Sequence, residues 1–209
     1  MGKPSEQRQQ EIVTSTIELC AEQGVNKITT QVIADRVGVA QATIFKHFKT
    51  RDHVFEAVLR WLSGGMFKAV EPMFKSKASA DVRLQNIIRK QLGFASQHKA
   101  LPRILFSDRL HSDSSVLKGI VQQVMARMTE AFTQLIRDGL ESGAFATKQS
   151  PEVMAKLVVS TMQGTLMRWS INDYSFDLQD EGPALYEYYL QALMATDPAA
   201  WTDGLIEDK

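Results

Sequence analysis

The stretch from Thr29 to Phe48 constrains this chain more than any other, because it demands two short helices meeting at a tight turn. Ala34 supplies the small side chain that a close helix crossing needs, and Gly38 permits the left-handed backbone of the turn. Ile33, Val37, Val39, Ile44 and Phe48 provide the apolar surface that locks the second helix at its angle. A small residue, a glycine four positions on and an aliphatic six further is a recurrent helix-turn-helix spacing.

The rest of the chain also reads as helix. No segment sustains the period-2 alternation of a strand, and Gly and Pro fall mostly between helical patterns. A first helix is predicted from a Ser5 N-cap to Gln23, followed by Gly24. Thr29 caps a helix reaching Val37, and the next runs from Gln41 to His47. Thr50 caps a long helix from Asp52 to Phe74, and Asp81 to Gln97 form another. A shorter helix follows Pro102 and ends near Arg109. The segment Ser112 to Ser115 opens a long one through Leu140. Ser150-Pro151 starts a helix to about Ser170, and Pro183 opens the last, through Met194. The expected fold is all-α with about nine helices: a three-helix unit in residues 1–52 and a larger bundle in 53–209.

With 24 basic and 24 acidic residues among 209, net charge says nothing about nucleic acid. Locally, however, Arg36, Lys46, Lys49 and Arg51 lie between Asp35 and Asp52 with His47 among them and no acid. The polar N-terminus predicts neither a secretory signal nor lipidation, and no apolar run is long enough to span a bilayer. A single cysteine, Cys20, fits a reducing cytoplasm and reads as a buried small hydrophobe. His47, His53, His98 and His111 lack the spacing of a metal site. No nucleophile elbow, phosphate-cradling loop or dinucleotide fingerprint occurs, so neither an enzyme nor a cofactor is expected.

The second helix of the turn motif is where chemistry concentrates. Gln41 can pair bidentately with adenine, and Thr43 offers a hydroxyl and a methyl. Lys46, Lys49 and Arg51 suit phosphates, as do the amides opening the helix after Thr29, and His47 shares that face.

Thr29-Thr30, Ile33-Ala34, Gly38-Val39, Thr43-Ile44-Phe45 and His47 to Asp52 resemble the N-terminal signature of the TetR/AcrR-type repressors over roughly residues 8 to 60. The resemblance implies a cytoplasmic homodimer whose C-terminal domain binds an effector and thereby releases DNA. By position, Thr30 and Gln31 would lie near phosphate and a base edge, and Gln41, Ala42 and Thr43 would read bases. Phe45 stands where the family usually has a phosphate-touching tyrosine, leaving it to pack on sugar, and Ala40 replaces a frequent serine. Arg51 matches a phosphate-contacting base at the start of the fourth helix.

Flexible Met and aromatic side chains can line an adaptable pocket between helices. Met66, Phe67, Phe94, Phe106 and Met125 are candidates, as are Met128, Phe132, Met162, Gln163 and Trp169. Arg109, His111, Gln163 and Arg168 are the polar groups that could orient a small apolar or amphipathic effector. The last two long helices carry more apolar surface than one packed stripe needs. They resemble the pair that builds a four-helix dimer interface, with Met154, Leu157, Val158, Thr161 and Thr165 on one and Leu185, Tyr188, Tyr189 and Ala192 on the other. A two-fold dimer implies a palindromic operator. Two other readings stay open: a DNA-bound protein acting through a protein partner, and a helical small-molecule-binding or enzymatic bundle with a vestigial DNA domain.

Overall fold

The computed structural model of the chain describes residues 4–108, 110 and 114–196. Among these are nine α-helices and no strand: α1 (Ser5–Gln23), α2 (Thr30–Val37), α3 (Gln41–His47), α4 (Arg51–Phe74), α5 (Ala80–Gln97), α6 (Ala100–Leu105), α7 (Ser115–Glu141), α8 (Pro151–Ile171) and α9 (Glu181–Met194).

Side-chain caps set four of the helix starts. Thr29 accepts from the amide of Val32 and Thr50 from that of His53, both at 3.2 Å. Ser114 accepts from Leu117 at 3.4 Å and Ser150 from Val153 at 3.3 Å. Each such cap is worth about 1 kcal/mol. Three starts differ from expectation. Pro4, not Ser5, occupies the first N-cap, and Ser5 is already helical. Pro102 and Pro183 lie inside the first turns of α6 and α9, which begin at Ala100 and Glu181. Amides of a first turn have no intrahelical partner, so proline costs nothing there. The tail carrying Trp201 lies outside the described residues.

α1 packs on α2, α3, α4 and α6, while α4 also packs on α5 and α7. α7 lies along α8, and α5 along α9. Ile12, Ile33 and Ile44 of the turn region and Val58, Leu62 and Ile87 of the bundle are all fully buried in one continuous core. α4 runs unbroken through the boundary expected near residue 52 and belongs to both parts of that core.

Polar ties fix the helix ends. Arg83 on α5 donates to Asp138 of α7 at 2.9 Å and to the carbonyl of Phe74, the last residue of α4, at 2.5 Å. Trp169 Nε1 donates to the carbonyl of Phe176 at 2.9 Å, and its ring meets Tyr174 edge-on. The Tyr174 hydroxyl donates to the carbonyl of Lys99 at 2.9 Å and accepts from Arg103 Nε at 2.8 Å, tying α6 to the loop after α8. No helix among the described residues is long and apolar enough to cross a membrane.

Candidate functional site

The turn between α2 and α3 is built as the spacing requires. Gly38 sits at φ 72° and ψ 40°, in the left-handed region. Its amide donates to Asp35 O at 3.2 Å, and the amide of Val39 reaches back to Ala34 O at 3.0 Å. That pair of bonds is a Schellman closure, which satisfies carbonyls the helix end would orphan. Ile33, Ala34 and Ile44 are fully buried, so α3 is held by packing at its centre.

The helix then turns Ala42, Phe45, Lys46 and, just beyond it, Lys49 to solvent. Those positions follow one face at helical spacing. Phe45 is 45% exposed, a large apolar ring with no core to join. Gln41 is half-buried, and its Nε2 donates to Thr30 Oγ1 at 2.8 Å. Thr30 is itself buried, and its hydroxyl anchors Gln41. The anchor leaves Gln41 its carbonyl oxygen and a second N–H. Gln31 is exposed and donates to Asp35 at 2.6 Å, Thr43 is half-buried, and His47 Nδ1 lies 3.4 Å from Ser5 Oγ.

The basic run of the sequence is thinner in space. Arg36 is bound to Glu22, at 3.0 Å through one of its nitrogens, and lies 3.7 Å from Glu18. Hydrogen bonding to Arg36 holds the Glu22 carboxyl below its usual range. Arg51, expected on a phosphate, instead turns inward: Nη2 donates to the carbonyl of Val25 at 2.7 Å, and the guanidinium stands 5.2 Å from the Phe55 ring centroid. Lys46 and Lys49 are left as the outward cations beside α3. Cys20 is fully buried, and burial pushes its thiol up to about 12 against the opposing charge of Arg51.

A second feature lies in the bundle. α4, α5, α6, α7 and α8 surround a chamber with a cavity volume of about 100 Å³. Met66, Met125, Met128, Phe132, Met162 and Gln163 line it together, as do Leu101 and Leu105 of α6. Four other candidates lie elsewhere. Phe67 packs under the Arg127 guanidinium at 3.9 Å, and Phe94 stacks on His98 at 4.2 Å. Phe106 is partly exposed, and Trp169 is committed to Tyr174 and the Phe176 carbonyl. Arg168 is not buried: it points outward and pairs with Glu181. Arg109 and His111 lie outside the described residues.

Sequence reasoning missed Gln91, a buried polar group on the chamber wall. The signal was present. Leu84, Ile87, Ile88, Gln91, Leu92 and Ala95 form one stripe of α5, and a single polar residue interrupts it. Among the described residues no cluster of His, Cys, Asp or Glu could hold a metal ion.

The candidate dimer residues divide in two. Met154, Val158, Thr165 and Tyr189 face the protomer's own core, because α8 and α9 spend those sides on α7 and α5. Thr161, Leu185 and Ala192 are half-buried. Only Leu157 and Tyr188 are exposed, at 51% and 59%. They belong to a different outward stripe on α8, formed by Val153, Leu157, Ser160, Gly164, Met167 and Ile171, with Tyr188 on α9.

Residues 12–58 match the family model described as bacterial regulatory proteins, tetR family, and residues 63–192 match that of the YsiA-like protein C-terminal region. Among curated proteins, the chain is 24% identical to the nucleoid occlusion factor SlmA of Aliivibrio fischeri over 172 residues, covering 81% of this chain and 87% of that protein. It is likewise 24% identical to SlmA of Escherichia coli over 177 residues, 83% and 88% of the two chains. Among solved structures, the fatty acid degradation regulator FadR of Bacillus halodurans superposes with a TM-score of 0.79 at 16% identity, covering 92% of this chain and 98% of that one. FadR of Bacillus subtilis, solved in complex with stearoyl-CoA, does so at 0.77 with 21% identity, covering 88% and 98%. With the turn geometry of α2 and α3 and a fold shared along nearly its whole described length, the chain belongs to the TetR family of bacterial regulatory proteins: it is a DNA-binding regulator, not an enzyme.

Proposed function

We propose that the chain is a cytoplasmic homodimeric repressor, released from a palindromic operator by a small apolar or amphipathic ligand. In this reading residues 1–52 read DNA, and residues 53–209 bind the effector and dimerise. The observation that carries it is the position of α6, which packs on α1 and lines the chamber with Leu101 and Leu105. A ligand that reshapes the chamber pushes on a helix the reader rests against. The switch needs a coupling of about 1 to 3 kcal/mol.

At the DNA, Gln41 offers its free amide groups to a base edge, while Ala42 and Phe45 present apolar surface suited to thymine methyls or sugar. Thr43 stands beside them, and Lys46, Lys49 and the opening amides of α2 meet phosphate. Gln31 and His47 are at the rim, and Arg51 reaches phosphate only by leaving the Val25 carbonyl. A second copy covers the stripe of Val153, Leu157, Met167 and Ile171. That pairing sets two α3 helices one DNA turn apart, about 34–36 Å. The stearoyl-CoA bound by the Bacillus subtilis relative supports an aliphatic effector here, which a Met- and Leu-lined chamber suits.

Fluorescence anisotropy on DNA from upstream of the chain's own gene tests the reader. Gln41→Ala is expected to relax sequence preference, and Lys46→Ala to weaken all sequences alike and reduce the salt slope by about one. Sequence-blind binding, equal in both variants, would sink it. The similarity to nucleoid occlusion factors favours a second reading, in which the protein acts from DNA through a protein partner. Many dispersed chromosomal sites, with a protein recovered alongside the DNA, would select that reading.

A further inference from the structure

The chamber is smaller than the ligands such sites take. Its cavity measures about 100 Å³, whereas ligand sites commonly span about 300–1,000 Å³. An occupant must therefore displace a wall. Four of the walls are long helices, α4 with 24 residues, α5 with 18, α7 with 27 and α8 with 21, and they pack on one another in turn. The fifth, α6, has six residues and contributes Leu101 and Leu105. A helix that short is not stable on its own in water, so its neighbours hold it in place.

One of those contacts is built from strained backbone. The loop after α8 holds Asp173 at φ 50° and Tyr174 at φ 59°, the two left-handed non-glycine residues among those described. Glycine adopts that backbone freely, whereas a side chain there is strained. The Tyr174 side chain uses the position. Its hydroxyl donates to the carbonyl of Lys99, the residue that caps α6, at 2.9 Å and accepts from Arg103 Nε at 2.8 Å. The Lys99 ammonium and the Arg103 guanidinium stand 5.1 Å and 5.3 Å from the centre of its ring. Trp169 of α8 meets the ring edge-on at 4.6 Å. The amides of Asp173 and Tyr174 close back on the carbonyls of Ser170 and Trp169 at 3.2 Å and 2.9 Å, so the end of α8 sets where the ring points.

We propose that Tyr174 is a latch that holds α6 closed over the chamber, and that α6 is the wall an occupant must open. With the hydroxyl in place, the first turn of α6 is tied to the end of α8. Without it, α6 keeps its packing on α1 and loses that tie. The loop strain favours opening, because it can relax once the side chain no longer has to reach α6. The latch stands on this geometry; that its opening admits an effector rests on the chamber being the effector site. Loss of one hydroxyl that both donates and accepts is expected to shift the opening equilibrium about tenfold.

The test is amide hydrogen exchange on the full chain, without DNA, comparing wild type with Tyr174→Phe and Tyr174→Gly. Tyr174→Phe keeps the ring and the two cations over it. It is expected to speed exchange of the Ile104 and Leu105 amides about tenfold, while the central amides of α5 and α7 keep their rates. Tyr174→Gly, which suits the left-handed backbone, is expected to speed α6 at least as much even though it relaxes the loop. A residue serving only overall stability would instead speed the slowest amides of every helix alike. Uptake of N-phenylnaphthylamine, an uncharged apolar dye, then reads the chamber by fluorescence. Its limiting rate at high dye concentration is expected to rise about tenfold in Tyr174→Phe. Unchanged α6 exchange in both variants, or equal acceleration in all helices, would overturn the latch. So would faster α6 exchange with dye uptake no faster than in wild type. Faster α6 exchange with no dye bound by any of the three proteins would uphold the latch and defeat the chamber as a ligand site.

Discussion

Gly38 offers a clean separation of backbone strain from steric conflict. A Cβ at this position meets no atom within 4 Å, so replacing the glycine displaces nothing. What remains is the left-handed backbone at φ 72° and ψ 40°. An L-residue there costs about 1–2 kcal/mol. Alanine recovers about 0.4–1 kcal/mol by restricting the unfolded chain. The net expectation for Gly38→Ala is a loss of about 1 kcal/mol, read as a lower urea midpoint with an unchanged slope at fixed protein concentration. Gly38→Asn is expected to lose less, because asparagine tolerates this region. Operator affinity measured well below the midpoint should hold in both, since Ile33 and Ile44 keep α3 in place from the core side. The reasoning fails if alanine matches glycine, or if asparagine is worse than alanine. A loss beyond about 3 kcal/mol would mean that the Cβ meets something, as overpacked sites do.

Gly139 of α7 carries the opposite case: a Cβ there would stand 2.0 Å from Cδ2 of the buried Phe145 ring. Helix propensity favours alanine by about 1 kcal/mol, but overpacking costs about 1–3 kcal/mol, so Gly139→Ala should lower the melting temperature and Phe145→Leu should partly restore it. Burial raises the Asp138 carboxyl, yet hydrogen bonds from Gln134 and Arg83 outweigh it and hold the group below its ordinary value. A depressed folded value gives stabilisation that is present above the unfolded pKa, near 3.9, and lost as pH falls through the folded one. Asp138→Asn is therefore expected to flatten the acid limb of the stability curve, and an unchanged limb would refute it. Cys20, buried with its thiol pushed up to about 12, should resist a thiol reagent at pH 8 until the chain unfolds. Rapid stoichiometric labelling of the native protein would contradict that. Leu157→Glu is expected to yield monomers in sedimentation, whereas Met154→Ala should lower stability without dissociation. Dissociation by the second and not the first would reverse the assignment of faces.

The sequence was most informative where structure is local. Thr29, Thr50, Ser114 and Ser150 cap helices as their spacing suggests, and Gly38 turns the chain where a glycine is needed. It was less informative where a partner comes from another element. Nothing in periodicity tells that Arg36 will find Glu22, or that Arg51 will reach the carbonyl of Val25. α8 is apolar around much of its circumference, so two stripes compete for the core, and only packing on α7 decides between Met154 and Leu157. For the same reason Phe67, Phe94 and Trp169 could not be told from Met66 or Met125 as chamber residues. Gln91 was legible as a break in an apolar stripe, but a buried glutamine has ordinary structural uses, and its unmet oxygen appears only in three dimensions.

α6 is a wall with two tenants, and this imposes a symmetry on how the protein can behave. Whatever free energy a chamber occupant spends to move α6 against α1, bound DNA must spend in return to hold α6 for the occupant's entry. If the chamber takes an effector as proposed, ligand affinity is not one constant but two, on and off the operator, and their ratio must equal the ratio of DNA affinities with and without ligand. Under the proposed release mechanism, the protein on its operator would be the poorer ligand binder by that factor. In a cell where most copies float free, those copies would then load first, and the operator would empty by exchange with a pool already occupied.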